Sequence, residues 1–211
     1  SDETHFRRFE EEAKILSQLN HNSIVTLYDY CYDKDGFYLV MELVKGKSLD
    51  KAIKKDGFFV QIRAINISIR ILKAIQYIHD KEIIHRDIKP SNIILDENDK
   101  IKLLDFGIAN KTDRDTKLTK VGTNAGVTTM YATPEHITHS KITRQSDIYS
   151  LGVTLWQMVT GISPYEGLPE TQIYGKIERD PLDDIQSVIG EVNTSNRMNT
   201  IIQKATSKKP S

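Results

Sequence analysis

Asp87, Lys89, Asn92 and Asp105 are the residues of this chain whose types and spacing could do chemistry. The first three share the run Ile84-His85-Arg86-Asp87-Ile88-Lys89-Pro90-Ser91-Asn92, and Asp105 heads Asp105-Phe106-Gly107 thirteen residues after Asn92. Asn92 and Asp105 would offer hard oxygen ligands at the mouths of adjacent strands. Such ligands suit magnesium, which keeps several waters and is held jointly by protein and nucleotide phosphates. Asp87 and Lys89, two apart in a loop, can approach one reacting centre from the same side. The carboxylate would accept a hydroxyl proton and the ammonium would neutralise phosphate charge. Together these groups are the equipment of phosphoryl transfer. Taken singly they say little, because Asp, Asn and Gly are also ordinary turn and cap residues.

The elements that must position this cluster are legible as periodicities. From Phe6 to Leu19 the apolar Phe9, Leu16 and Leu19 fall on one helical stripe, with Ala13 beside it. Glu12 sits in that stripe, where its carboxylate would need a cation or donors, although on the helix alone a solvated charge beside Glu10 and Glu11 is preferred. Two strand-like runs follow, Ile24 to Cys31 and Phe37 to Glu42, joined by the turn signal Asp33-Lys34-Asp35-Gly36. Val44-Lys45-Gly46-Lys47 reads as a connector. A short helix is expected from an N-cap at Ser48, and a long one from Gln61 to His79 with Ile65, Ile69, Leu72 and Ile75 at helical intervals. The apolar Ile93-Ile94-Leu95 and the strand-like Ile101-Lys102-Leu103-Leu104 flank the gap between Asn92 and Asp105. The chain then reads as loop-rich to about Arg144. A helix from Ser146 to Thr160 carries Leu151, Leu155, Met158 and Val159 and ends at a C-cap, Gly161. Shorter helices are expected around Thr171 to Glu178 and Asn196 to Thr206. No repeat or low-complexity tract interrupts the pattern.

Composition narrows the function classes. Lys plus Arg and Asp plus Glu number 29 each, so the formal charge of the 211-residue chain is zero. No basic excess is present to drive general binding to nucleic acid or an anionic membrane, which leaves only local patches. The single cysteine, Cys31, cannot form an internal disulfide and is expected to be a buried small hydrophobe. Apolar runs such as Phe37 to Met41 are strand-sized, far short of a bilayer span. The opening Ser-Asp-Glu-Thr-His lacks the layout of a secretory signal. The expectation is a cytoplasmic protein, or the cytosolic part of a larger one, with no nucleic-acid partner and no membrane segment in this chain.

A helix, an HRD-x-K-x-x-N loop, short strands, Asp105-Phe106-Gly107 and then Thr133-Pro134-Glu135 occur in that order. In this the sequence resembles the protein kinase family over essentially the whole chain. Lys89, two residues after Asp87, resembles the serine/threonine branch, and the wording HRDIKPSNIIL is similar to many bacterial kinases of that branch. The resemblance implies a two-lobed α+β fold. Residues 1–43 would form a partial small lobe of one helix and two strands, residues 44–211 a mainly α-helical large lobe, with ATP at the hinge between them. It further implies ATP and Mg2+ as cofactors and protein substrates with Ser or Thr acceptors. Asp87 matches the aspartate that orients and deprotonates the acceptor hydroxyl, Lys89 the lysine facing the transferred phosphate, and Asn92 and Asp105 the magnesium ligands. Glu12 matches the glutamate that pairs with a strand lysine on the α and β phosphates. Met41 matches the gatekeeper, Glu42 to Val44 the hinge whose main chain binds adenine, and Ile94 another nucleotide contact. Leu16, Leu27, His85 and Phe106 match a stacked column linking the lobes. Asp147 matches an aspartate that caps its helix and bonds the catalytic-loop main chain. Thr128 matches the threonine that contacts the catalytic Asp and Lys. Arg86 implies regulation by phosphorylation between Asp105 and Glu135, with self-phosphorylation at Thr119 or Thr123 ahead of Thr112 and Thr116.

The sequence also departs from the family pattern. Val127 stands where a glycine is usual, which bears on the substrate-docking loop. None of the eleven glycines forms a G-x-G-x-x-G, and no Val-Ala-Ile-Lys-like strand occurs. Glu12 is thus without its presumed cation, and the glutamate matching Glu135 without an arginine that follows Lys208-Lys209-Pro210 in the family order. The expectation is a fragment, inactive or nearly so alone, of an active serine/threonine kinase. The alternative is a pseudokinase-like interaction or scaffold module. A small-molecule phosphotransferase of related fold is disfavoured by Lys89, by Thr133-Pro134-Glu135 and by the long loop before it.

Overall fold

The computed structural model of the chain describes residue 10 and residues 13–33, 36–106, 129–190 and 195–208. Helical residues 13–17 lead into two β-strands, and Ala13, Leu16 and Leu19 are buried as their stripe requires. The strands β1 (Leu27–Asp33) and β2 (Gly36–Met41) form an antiparallel hairpin running from Leu27 opposite Met41 to Asp33 opposite Gly36. Cys31 is exposed on β1, against expectation. Among the described residues the hairpin is a sheet of two strands, and Tyr28, Tyr32 and Val40 are exposed with Cys31.

A second antiparallel sheet has the order β3 (Lys47–Ser48), β4 (Ile93–Leu95) and β5 (Ile101–Leu103). β3 occupies the stretch whose sequence reads as a connector. Gly46 makes it possible: its φ is 152° and a Cβ there would stand 2.2 Å from the Leu95 carbonyl oxygen, so only glycine lets the chain turn this closely onto β4.

Among the described residues seven α-helices follow the first strands: α1 (Leu49–Asp56), α2 (Gln61–His79), α3 (Pro134–Ile137), α4 (Arg144–Thr160), α5 (Glu170–Arg179), α6 (Ile185–Ile189) and α7 (Asn196–Ala205). α2 and α4 pack together at the centre, and α7 closes on α4. α4 is buried on nearly all sides, from Asp147 through Thr160, as expected of a helix passing through a core. α2 has the expected bounds but a different inner face. Ala64, Ile67, Ile71, Ala74, Ile75 and Ile78 are buried, whereas Ile69 and Leu72 are 44% and 41% exposed. Ser48 is the N-cap residue of α1 yet makes no side-chain cap bond.

The hairpin end is fastened to the helical body by main-chain bonds. Val25 N donates to Leu103 O at 3.0 Å and Leu103 N to Ser23 O at 2.9 Å, an isolated parallel bridge beside β5. Asn20 N also donates to the Tyr77 hydroxyl on α2 at 2.9 Å. One apolar cluster therefore runs from Leu16 and Leu27 through β4 and β5 to α2 and α4. The result is α+β with few strands and many helices. Among the described residues no helix is long and apolar enough to cross a membrane.

Candidate active site

The loop between α2 and β4 gathers three of the four chemical residues. Lys89 Nζ lies 2.7 Å from Asp87 Oδ2. Asn92 Nδ2 donates to the same carboxylate oxygen at 2.8 Å and to the Asp87 carbonyl at 3.0 Å. Asn92 is fixed by the 3-10 turn Pro90–Asn92, in which proline occupies the first position and Asn92 N donates to Lys89 O at 3.0 Å. Because both bonds of the Asn92 side chain leave from its nitrogen, its amide oxygen points the other way and is available as a ligand.

Asp105 is delivered to this group by β4 and β5. Leu104 N donates to Asn92 O at 2.8 Å, which sets Asp105, the next residue, beside Asn92. Asp105 is exposed and has a φ of 43°, the left-handed region that a side chain enters only where its surroundings impose it. Arg86 is held in the same region, at 71°. One carboxylate and one amide oxygen, with no His or Cys, could hold a hard dication only if its remaining ligands came from water and phosphate. Among the described residues no group of three or more His, Cys, Asp or Glu is placed to hold a metal ion.

Behind the loop stands Asp147, 1% exposed. Its carboxylate accepts from His85 N at 2.9 Å, Arg86 N at 2.8 Å and His79 Nε2 at 2.7 Å. The helix it belongs to starts earlier than expected. Thr143 is the N-cap of α4, so Asp147 lies within the first turn and is not a cap. Its carboxylate is thereby free to hold the main chain of His85 and Arg86. His79, the last residue of α2, is the supporting residue that the sequence pattern missed. A histidine ending an apolar helix gives no signal until its neighbour across the core is known.

His85 and Phe106 stack with ring centroids 4.5 Å apart, and Leu16 and Leu27 are buried in the same cluster. His85 Nε2 donates to Leu104 O at 3.1 Å and its Nδ1 accepts from Asp87 N at 3.4 Å. Both bonds fit the neutral ring. Complete burial holds its pKa below the ordinary histidine range, although Asp147 and Asp87 pull the other way.

At the hinge, Glu42 N donates to Thr26 O at 2.8 Å, and its side chain turns onto β5, where Oε2 meets Lys102 Nζ at 2.6 Å. Lys102 Nζ also donates to Ile24 O at 3.1 Å, and Thr26 N to Glu42 Oε2 at 3.3 Å. Burial pushes the Glu42 carboxyl up, but the Lys102 ammonium and the Thr26 amide outweigh it and leave it below its usual range. Among the described residues nothing pairs with the main-chain groups of residues 43–45. Met41 is 38% exposed and Val44 half-buried. Ile94 lies opposite Ser48 and Lys102, on the face of β4 away from the buried Ile93 and Leu95.

Glu12 and Thr128 lie outside the described residues, as do Val127, Thr112, Thr116, Thr119 and Thr123. Thr133 caps α3, accepting from His136 N, and Glu135 in that helix has a buried Oε2 that meets no hydrogen-bond partner among the described residues.

Comparison with known proteins agrees with this geometry. The chain matches the protein kinase domain over residues 1–211. It is 35% identical over 210 residues to the serine/threonine-protein kinase PrkC of Bacillus subtilis, covering 100% of this chain and 32% of that one. It is 38% identical over 180 residues to the probable serine/threonine-protein kinase PknB of Corynebacterium glutamicum, covering 82% of this chain and 28% of that one. The serine/threonine-protein kinase PknB of Mycobacterium leprae is 33% identical over 214 residues, 99% of this chain and 34% of its own. The chain thus spans about a third of the length of these curated relatives. With a match to the protein kinase domain over its whole length, the chain belongs to that family.

Proposed function

We propose that this chain is the catalytic core of a serine/threonine protein kinase that transfers the γ-phosphate of ATP to Ser or Thr hydroxyls of proteins. The observation that carries it is the contact of Lys89 Nζ and Asn92 Nδ2 with one oxygen of Asp87, at 2.7 and 2.8 Å. That arrangement leaves the other Asp87 oxygen to receive an acceptor hydroxyl and hold its proton. Lys89 stands where the transferred phosphate would gather negative charge. Asn92 and Asp105 would hold Mg2+, which supplies charge neutralisation on the phosphates. Residues 43–45 would bind adenine through their main chain, with Met41, Val44 and Ile94 against the base. Residues 1–43 and 44–211 would be the two lobes, Thr128 would complete the acceptor site, and Thr119 or Thr123 would be self-phosphorylated. The relatives' names support a protein substrate over a small molecule. A cytoplasmic setting follows from the need for ATP.

The sequence holds no glycine-rich loop and no strand lysine, so turnover by these 211 residues alone should be slight. That same feature favours a second reading, a non-catalytic interaction module. The two are separated by measuring transfer from labelled ATP to a generic protein substrate, with this chain and with a version extended at its N-terminus to supply both missing parts. The extended form should be active, and Asp87→Asn in it should lose at least a thousandfold. An inactive extended form would overturn the enzyme reading. Full activity of the 211-residue chain would overturn its incompleteness.

A further inference from the structure

Two carboxylate oxygens among the described residues are buried without a hydrogen-bond partner, Glu135 Oε2 and Asp50 Oδ1. Asp50 belongs to the first turn of α1, which with β3 packs against the turn Pro90–Asn92 that follows Asp87 and Lys89. Its charge also reaches the Tyr131 phenol, whose pKa is pushed up to about 12 by burial first and by Asp50 among the lesser causes. Tyr131 is itself fixed, its hydroxyl bonded to Gln157 Oε1 and its carbonyl accepting from Ser150 Oγ at 3.2 Å. The Asp50 carboxylate is therefore near both the loop that carries Asp87 and the segment 129–133 that leads into α3.

Neither the helix nor its own lysines account for this carboxylate. A first-turn acid favours the helix dipole from an exposed position just as well. Lys54, four residues on and exposed, is in the favourable order for a helix ion pair with Asp50 yet forms none, and among the described residues neither does Lys47 or Lys51. An acceptor left buried and unpaired is costly. The residue as a whole is only half-buried, so its carboxylate can be reached from solvent. A carboxylate turns readily about χ2, and a fork-shaped donor arriving at its open side serves both oxygens. A metal ion would need further ligands, and among the described residues no group of acids is placed to supply them.

We propose that Asp50 is a specificity subsite for a cationic side chain, arginine ahead of lysine, on the protein segment that carries the acceptor hydroxyl. This rests on the kinase reading above. The acceptor hydroxyl must come to Asp87, so a neighbouring residue of the same segment passes over the Pro90–Asn92 turn and lies against the first turn of α1. A guanidinium there pairs the carboxylate that the fold leaves unpaired, and a carboxylate at the same position is repelled.

The probes are peptides with a central Ser in an Ala background, carrying a single Arg at each flanking position in turn, and a matching set with Glu. Fluorescence polarisation with the 211-residue chain reads binding, and transfer of labelled phosphate by the N-terminally extended form reads KM and kcat. At one Arg position binding should tighten by about tenfold over the all-Ala peptide, seen in transfer as a lower KM with kcat little changed. Asp50→Asn should abolish that gain and Asp50→Lys should move it to Glu at the same position. Glu97→Gln, an equal loss of charge on the exposed β4–β5 turn, should keep it. A merely structural Asp50 would lower the melting temperature of its variants without moving the ratio between Arg and Ala peptides, and that result overturns the proposal. So does an Arg gain that survives Asp50→Asn, or one absent at every position. Arg-dependent binding that is lost in Asp50→Asn, with an extended form that transfers nothing, supports the subsite and overturns the kinase reading alone.

Discussion

His85 sits where three requirements meet: its ring stacks on Phe106, its Nε2 serves Leu104 O and its Nδ1 serves the amide of Asp87. A proton on Nδ1 would remove the last of these and place a charge in a fully buried site. Burial likewise lowers the pKa of His136, and burial followed by the Lys102 charge lowers that of His21. Below about pH 6.5 the unfolded chain therefore binds protons that the folded chain refuses. Stability should fall as pH drops from 7.5 to 5.5, and His85→Phe, which keeps a stacking ring but cannot titrate, should flatten that fall. Thermal melting across the range reads it, and an identical slope in the variant would show that His85 plays no part. At this scale the sequence was most legible for Asp87, Lys89, Asn92 and Asp105, because charged chemistry restricts residue type. It was least legible for His79, Glu42 and Lys102, whose partners are 68 and 60 residues away and set by packing. Asp147 was found, but with the wrong start to its helix: the cap fell to Thr143, where the chain is still extended.

Elements were legible where one periodicity dominated and misleading where two competed. α2 contains an inner apolar stripe through Ile67, Ile71 and Ile78 and an outer one through Ile62, Ile69 and Leu72, and helical spacing alone does not say which one meets α4. The answer depends on the far half of the chain. α4 was simpler, with apolar residues on all sides and an end marked by glycine. Gly161 has φ of 73°, and a Cβ there would lie 1.7 Å from the Gly57 carbonyl oxygen, because Phe59 N is drawn to Met158 O at 2.7 Å. Gly161→Ala must therefore meet both left-handed strain and a collision with main chain. It should cost about 3 kcal/mol or more. Gly167→Ala is the control: its φ is 78° but nothing lies within 4 Å of the added carbon, so strain alone, about 1 kcal/mol, is expected. Urea unfolding of the two variants measures the difference, and equal losses would show that the approach of Gly57 is not a constraint. β3, α3 and α6 escaped notice because two to five residues are too few to establish a period.

For the molecule as a whole, the decisive question is what ties the hairpin end to the helical body. A two-stranded hairpin is marginal alone, and β1–β2 exposes Tyr28, Tyr32 and Val40. Its hold on the body comes from the bridge at Leu103 and from Lys102, which binds Ile24 O and Glu42 together. Lys102 thus joins β5, the segment before β1 and the hinge at a single ammonium. The pair is partly exposed, with side chains 22% and 27% accessible, so its Coulomb attraction is modest. Its larger effect is geometric, since losing it frees a carboxylate and a main-chain carbonyl at once. Lys102→Met keeps the apolar stem and removes the charge. Amide exchange at Val25, Thr26, Glu42 and Leu103 should then speed up about tenfold, a local loss of about 1.4 kcal/mol, while amides of α2 and α4 keep their protection. Hydrogen exchange read by mass spectrometry or NMR distinguishes the outcomes. If α4 loses protection in step with the hinge, the chain opens as one unit and Lys102 is no more than one surface charge among many. If only the hinge responds, the position of the main chain at residues 43–45 is set by a side chain on β5.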